Sequence, residues 1–275
     1  MVDDWADSIE TVLCDLDGVV WLAHHPIGGS IQAIASLRES GRRVLFVTNN
    51  SFALLAEHEA ALARIGIPAA GDVVSSSMAA AFMVEPGQRV LVAGGPGVVE
   101  AFERRGADVV HNTGQPVDGP IDAVAVGLHR DFDYGRLAVA AGSARSGARL
   151  IGTNADSTYP TPSGLLPGGG AILAAIASAS GVTPEVAGKP EQAMADLVSS
   201  TLDGDPAATA TRLLMIGDRP ETDGLFASRL GCRFALVRSG VTPVGSSSPS
   251  LEGLRIDADV ADLAEIARRL VLVGQ

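Results

Sequence analysis

Short apolar runs alternate with amphipathic stretches along most of the chain. The apolar runs predict strands at residues 11–14, 43–47, 73–75, 185–187, 212–216 and 234–237. The stretches between and after them predict helices at residues 31–40, 53–65, 78–84 and 258–270. Strands that are apolar along their whole length and alternate with helices are typical of a parallel sheet covered on both faces. The predicted fold class is therefore α/β.

The middle of the chain has strand and helix patterns of its own. Strands are predicted at residues 89–93 and 122–126, and helices at residues 137–146 and 171–180. None of these strands ends in a pair of carboxylates. We therefore predict an inserted second domain at residues 80–184, between two parts of a core domain at residues 1–79 and 185–275.

Polar side chains follow four of the predicted core strands. Alone, the first of these segments also fits a turn, the second a helix N-cap and the fourth a loop, and the third is uninformative. Ligands of open α/β sheets bind at the carboxyl ends of the strands, so we expect the four segments to share one crevice if their strands are neighbours. In chain order they are Asp15-Leu16-Asp17-Gly18, Thr48-Asn49-Asn50-Ser51, Gly188-Lys189-Pro190, and Gly217-Asp218-Arg219 with Asp223 close behind.

The residue types in these segments favour phosphoryl-transfer chemistry. Crowded carboxylates repel each other unless a cation lies among them, and oxygen ligands of this kind suit Mg²⁺. A carboxylate beside that ion can attack phosphorus, and a second carboxylate can give and take the proton. A lysine and amide N–H groups would offset the negative charge of the phosphoryl oxygens.

The composition of the chain argues against nucleic acid and membrane as binding partners. The net charge is −12, and no basic patch carries interleaved aromatic residues, which argues against nucleic-acid binding. No apolar run approaches the roughly 20 residues of a membrane span, so no membrane insertion is expected. Lys189 is the chain's sole lysine among its 20 basic residues. Cys14 and Cys232 are interpreted as buried free thiols of a cytoplasmic protein.

The four strand-end segments, in this order, resemble those of phosphatases of the haloacid dehalogenase superfamily. The insert resembles the C2-type cap of that superfamily. Within it, the chain is most similar to the p-nitrophenyl-phosphatase-like group, which includes phosphoglycolate, pyridoxal-phosphate and glycerol-3-phosphate phosphatases. The resemblance covers nearly the whole chain, and it implies a Rossmann-like parallel-sheet core with an inserted α/β cap.

The resemblance also implies roles for individual residues. Asp15 would be the nucleophile, Asp17 the general acid and base, and Lys189 a bridge between nucleophile and phosphate. Mg²⁺ would be bound by Asp15, the backbone carbonyl of Asp17 and Asp218, and Asp223 would support either the water ligands of the ion or Lys189. The phosphoryl group would be held by Thr48, Asn49 and Asn50.

The substrate implied is a small phosphorylated metabolite, and glycerol 3-phosphate is our first expectation. Phosphoglycolate, pyridoxal phosphate and a nucleoside monophosphate are the alternatives. Two cap segments that would face the leaving group depart from the family pattern. His129 stands where an acidic residue often follows Val126-Gly127-Leu128, and Asn154-Ala155-Asp156 stands in place of an Asn-Pro-Asp or Asn-Arg-Asp stretch. Members of this group often pair through the cap, so a homodimer is expected.

Two competing interpretations remain. A non-catalytic signalling protein could also use an aspartyl-phosphate acceptor, but Asp17 and the large insert favour turnover. The run Gly94-Gly95-Pro96-Gly97 follows a strand and could begin a dinucleotide-binding helix. It lacks the third glycine of that motif and a clear acidic partner, which argues against a nucleotide cofactor.

Overall fold

The computed structural model describes residues 5–161, 164–202, 209–242, 245 and 254–272. The chain divides into two compact units. Unit 1 comprises Met1–Thr48, His58–Val74 and Val198–Gln275, and unit 2 comprises Asn49–Glu57 and Ser75–Leu197. The cap bounds predicted at residues 80 and 184 stay a prediction.

Unit 1 is built on a six-stranded sheet. The strand order is β15-β14-β13-β1-β4-β5, so β1 lies in the interior between β13 and β4, and it is parallel to both. All four residues of β1 are buried, which explains its uninterrupted apolar pattern. The strands are β1 (Thr11–Cys14), β4 (Arg43–Thr48), β5 (Val73–Ser75), β13 (Leu213–Gly217), β14 (Arg233–Val237) and β15 (Ala258–Val260), and a two-stranded hairpin adds β2 (Trp21–Leu22) and β3 (His25–Pro26).

The helices of unit 1 bury one face each. Helix α9 places Leu263, Ile266, Ala267 and Leu270 on a single buried stripe and packs on α1. The helices here are α1 (Ser30–Glu39), α2 (Leu55–Arg64, which begins in unit 2), α8 (Leu225–Leu230) and α9 (Leu263–Leu272), with a 3₁₀ turn at Ala6–Ser8 and a π-helical turn at Pro220–Gly224.

Unit 2 contains a separate five-stranded sheet in the order β12-β9-β8-β6-β7, and every pairing in it is parallel. Helices α5 and α6 pack against each other on this sheet, and α3 packs on α4. The strands are β6 (Arg89–Ala93), β7 (Asp108–His111), β8 (Ala123–Val126), β9 (Arg149–Gly152) and β12 (Glu185–Val186), with an antiparallel hairpin of β10 (Thr158–Thr161) and β11 (Gly164–Pro167). The helices are α3 (Ser76–Phe82), α4 (Pro96–Arg105), α5 (Tyr134–Arg145), α6 (Gly169–Ser180) and α7 (Gln192–Ser200).

The structure confirms the α/β class and corrects two elements. The strand before Lys189 is not a neighbour of β1: it is β12, which pairs with β9 at the edge of the unit 2 sheet. A two-residue strand has too few side chains to specify its sheet. The predicted helix at residues 258–270 begins only at Leu263, because Ala258–Val260 pairs with β14 as an edge strand.

Among the helices of the described residues, none combines the length and the apolar character needed to cross a membrane.

Candidate active site

Asp15 follows β1 at the carboxyl edge of the unit 1 sheet. Its backbone N–H donates to the carbonyl of Ile216 on β13 at 3.0 Å, so the strand pairing continues to the carboxylate itself. Asp15 is partly exposed although the four residues before it are buried. A rigid strand therefore holds this side chain at a solvent-accessible edge.

Asp218 follows β13 on the neighbouring strand and is 1% exposed. Its Oδ2 accepts the backbone N–H of Val241 at 2.7 Å, and the hydroxyl of Thr242 donates to its backbone carbonyl at 2.6 Å. A Cβ would lie 1.9 Å from Oδ2 at Gly240 and 2.3 Å from it at Gly18. The two glycines therefore leave the space that the carboxylate occupies.

Asp223 lies in the π-helical turn after β13 and is fully buried. Its Oδ2 accepts the backbone N–H of Arg219 at 3.1 Å. Asp15, Asp218 and Asp223 each place one carboxylate oxygen within 4.8 Å of the others. Three carboxylates this close repel each other unless a cation lies among them. The chemistry of these oxygen donors fits a divalent metal ion such as Mg²⁺.

Asp17 lies in the turn that follows Asp15, and it is exposed. Its Oδ1 accepts a hydrogen bond from the indole Nε1 of Trp21 at 3.1 Å. Thr48 ends β4, the other neighbour of β1, and is buried. Five of the predicted site residues thus belong to unit 1, and the carboxylates of three of them form the cluster described above.

A second group of predicted residues lies in unit 2. The side-chain amide of Asn49 donates to the backbone carbonyl of Lys189 at 3.0 Å and to Oδ2 of Asp156 at 3.4 Å. The backbone carbonyl of Asn49 in turn accepts from Asn154 Nδ2 at 2.7 Å and from the hydroxyl of Ser76 at 2.8 Å. Lys189 is 4% exposed. These hydrogen bonds hold the amide-rich turn and the lysine segment in one rigid arrangement.

The remaining two candidates make other contacts. Oδ1 of Asn50 accepts the backbone N–H of Phe52 at 3.0 Å, so Asn50 closes a local turn. The His129 ring lies beside Phe132, with 6.2 Å between the ring centroids. Partial burial, and then the Arg136 guanidinium, lower the pKa of His129, which favours the neutral ring.

The glycine run before α4 serves packing within unit 2. The N–H of Gly95 donates to the carbonyl of Leu128 and that of Gly97 to the carbonyl of Phe52, both at 2.9 Å. A Cβ at Gly97 would lie 2.1 Å from the carbonyl oxygen of Ala53. These N–H groups donate to carbonyl groups of the protein, so they are not available to bind the phosphates of a dinucleotide.

Sequence reasoning did not find the segment 239–242, which surrounds Asp218. Its contacts join residues far apart in the chain: the hydroxyl of Ser239 donates to the carbonyl of Gly18 at 2.7 Å. The available signal was the Ser-Gly-Val-Thr sequence, which is separated from the end of β14 by one residue, because loops at strand ends often carry functional residues.

Two neighbouring parallel strands of unit 1 are thus each followed by an aspartate, Asp15 after β1 and the buried Asp218 after β13. A haloacid dehalogenase-like hydrolase family model matches residues 12–108, and a second model, described as HAD-hydrolase-like, matches residues 186–266. Together these models match more than half of the chain. The chain belongs to the haloacid dehalogenase-like hydrolases.

Particular relatives are phosphatases. D-Glycerol 3-phosphate phosphatase of Mycobacterium tuberculosis is 37% identical over 241 residues, which cover 86% of this chain and 65% of that enzyme. Phosphoglycolate phosphatase 2 of Arabidopsis thaliana is 31% identical over 262 residues, covering 86% of this chain and 85% of the relative. A crystal structure of a glycerol phosphate phosphatase from M. tuberculosis in complex with magnesium is similar at a TM-score of 0.85 and 33% identity, covering 98% of this chain and 78% of that one.

Proposed function

We propose that this protein is a Mg²⁺-dependent phosphatase that hydrolyses small phosphomonoesters through an aspartyl-phosphate on Asp15, with glycerol 3-phosphate as substrate. The observation that carries the proposal is the cluster of Asp15, Asp218 and Asp223 at the carboxyl edge of the sheet, with Asp17 two residues beyond Asp15. The family to which the chain belongs, and the phosphatases similar to it, support the same reaction.

The carboxylate cluster fits a magnesium ion. Its donors are oxygens, two of the three side chains are buried, and Mg²⁺ is typically held by one or two carboxylates plus substrate phosphate. Asp15, Asp218 and the backbone carbonyl of Asp17 would hold the ion. Asp223, through its hydrogen bond from the Arg219 N–H, would support the loop that carries Asp218. The bound ion would neutralise charge on the phosphoryl oxygens and on Asp15.

The reaction then takes two steps. A carboxylate oxygen of Asp15 attacks phosphorus, and the bond to the leaving oxygen breaks with its electron pair on that oxygen, which takes a proton from Asp17. A water next attacks the same phosphorus and gives a proton to Asp17. The bond between phosphorus and the Asp15 oxygen breaks, so inorganic phosphate and the free Asp15 carboxylate are released.

The other predicted site residues would bind the phosphoryl group. Thr48, Asn49 and Asn50 would hold its oxygens, and Lys189 would supply a compact positive charge. The hydrogen bonds of Asn49 to Lys189 and Asp156 support a common role, because they make these groups rigid before a substrate arrives.

Glycerol 3-phosphate is proposed on the chemistry of the cap and on the relatives. Residues 80–184 are rich in Gly, Ala and Ser and contain no Lys, which suits a small, hydroxylated leaving group. His129 and Asp156 would contact that leaving group. The similar enzyme of M. tuberculosis is named for this substrate. Phosphoglycolate is the second candidate, because the similar plant enzyme is named for it.

Two further proposals concern assembly and location. We propose a homodimer formed through the cap, and a cytoplasmic location. Neither of the chain's two cysteines, both within the described residues, is in a disulfide. Burial raises the pKa of the Cys232 thiol to about 12, so this group is unreactive at neutral pH.

The test is phosphate release from a panel of small monoesters, with Mg²⁺ and with excess chelator. We expect release to depend on Mg²⁺, to be fastest with glycerol 3-phosphate, and to vanish in Asp15→Asn. Asp108→Asn, a surface change on β7, is the matched control and should keep wild-type activity. Full activity in excess chelator, or activity in Asp15→Asn, would refute the mechanism. Phosphate uptake from acetyl phosphate without release from any monoester would favour a signalling protein instead.

A further inference from the structure

Trp21 donates a hydrogen bond to Asp17, and the two-step reaction above gives this contact no role. Its indole is 1% exposed, and Nε1 donates to Oδ1 of Asp17 at 3.1 Å. The backbone closes the same turn: the N–H of Gly18 donates to the carbonyl of Trp21 at 2.8 Å, and the N–H of Trp21 donates to the carbonyl of Leu16 at 3.2 Å. A buried ring on a closed turn is a fixed donor, whereas the Asp17 side chain that it contacts is exposed.

The hairpin that carries Trp21 is strained. Strands β2 and β3 are joined by Ala23 and His24, whose φ angles are +48° and +65°. Positive φ is rare for residues other than Gly, although Asn, Asp and His are enriched there, so the strain lies mainly at Ala23; such strain is found where the surrounding structure imposes it, often at functional sites. Here it places the His24 ring against Trp21, with 5.0 Å between the ring centroids.

We propose that Trp21 is a positioning residue for Asp17. By holding one carboxylate oxygen, the indole orients the carboxyl group that exchanges a proton with the leaving oxygen and with water. The inference rests on the proposed function, because it assigns Trp21 to the acid and base step of that reaction. The competing explanation is purely structural: a buried indole N–H needs an acceptor, and Asp17 supplies one.

A double-mutant cycle separates these two explanations. Trp21→Phe keeps an aromatic ring and removes the N–H, and Trp5→Phe is the matched control because Trp5 is the chain's only other tryptophan. We expect Trp21→Phe to lower kcat for glycerol 3-phosphate about tenfold with little change in KM, since the hydrogen bond that orients the carboxyl group is lost. Trp5→Phe should retain wild-type kcat.

The cycle is completed in an Asp17→Ala background, where no carboxyl group remains to be oriented. There, Trp21→Phe should change the residual rate by less than about twofold, because residues that act as a unit are not additive. The same tenfold loss in both backgrounds would show that Trp21 serves only the fold, and would overturn the proposal.

A spectroscopic measurement tests the contact independently of activity. In the ¹⁵N-labelled protein, the Trp21 indole N–H resonance should shift and exchange faster with solvent in Asp17→Ala, while the Trp5 resonance stays in place. An unchanged Trp21 resonance would contradict the proposal. If the wild type releases no phosphate from any monoester, the proposed function fails, and the resonances still decide whether the indole holds Asp17.

Discussion

Gly240→Ala tests how closely the backbone confines the Asp218 carboxylate. A Cβ at position 240 would lie 1.9 Å from Oδ2 and 2.5 Å from Cγ of Asp218, where ordinary contacts begin at 3.4 Å. The carboxylate must therefore move by roughly 1 Å or more. It would also lose the hydrogen bond from the Val241 N–H, which is 2.7 Å long in the native arrangement.

The expected loss of activity follows from how little a metal site tolerates displacement of its ligands. Metal–ligand distances vary by only about 0.2 Å, so a displaced Asp218 no longer binds in place. A misplacement of about 1 Å at an active site costs up to about 100-fold in rate. This corresponds to about 2.7 kcal/mol of lost transition-state stabilisation. We therefore expect a fall of about 100-fold in kcat/KM for Gly240→Ala, together with weaker Mg²⁺ binding.

The assay is phosphate release over a Mg²⁺ titration, with calorimetry for Mg²⁺ affinity and thermal unfolding to verify the fold. Gly142→Ala is the matched control, because it lies inside α5 and its added Cβ meets no atom within 4 Å. The control should keep wild-type activity and gain about 0.5–1 kcal/mol of stability from helix propensity. Wild-type kcat/KM and Mg²⁺ affinity in Gly240→Ala would refute the reasoning.

Three further predictions concern the lysine, an ion pair of unit 2 and the cap. Lys189→Arg should lose most activity although the charge is kept, because a planar guanidinium is not a compact ammonium; full activity in a steady-state assay would contradict this. Arg149, which donates to both Glu185 oxygens at 2.9 and 2.8 Å, holds the pKa of Glu185 below 4.5. Near pH 7, the unfolding free energy of the wild type should therefore exceed that of Glu185→Gln by at most about 1 kcal/mol. Chemical denaturation at a series of pH values should show this difference disappearing as the pH falls through the lowered pKa of Glu185. Substitution of His129 or Asp156 should reorder substrate preference more than it slows p-nitrophenyl phosphate hydrolysis; equal losses on a substrate panel would assign these residues to folding.

The sequence was informative where local pattern determines structure. The buried run of β1 and the five buried residues of β13 gave clear strands, and the carboxylates after them were identified as a site. The predicted strand at residues 185–187 is present as β12, but it belongs to the other sheet, and the hairpin of β10 and β11 was not predicted. Strand β11 is exposed throughout, so no alternation of apolar and polar residues marks it.

Contacts between distant segments lay beyond sequence reasoning. Gly240 and Val241 shape the site around Asp218, yet they follow a different strand and carry no catalytic group themselves. The indole of Trp21 was equally unforeseen, because an apolar pattern predicts burial but does not name an acceptor for a buried N–H. Such contacts depend on how strands are joined, which hydrophobic periodicity alone does not determine.

The central claim is that Asp15 is phosphorylated and that Asp17 handles the proton, and rapid mixing of Asp17→Asn with two substrates tests it most directly. p-Nitrophenolate leaves without a proton, whereas the alkoxide of glycerol 3-phosphate needs one. We predict a burst of p-nitrophenolate with phosphate trapped on the peptide that contains Asp15, and no burst from glycerol 3-phosphate. Equal bursts from both substrates would contradict the role of Asp17, and phosphate on any other residue would contradict that of Asp15.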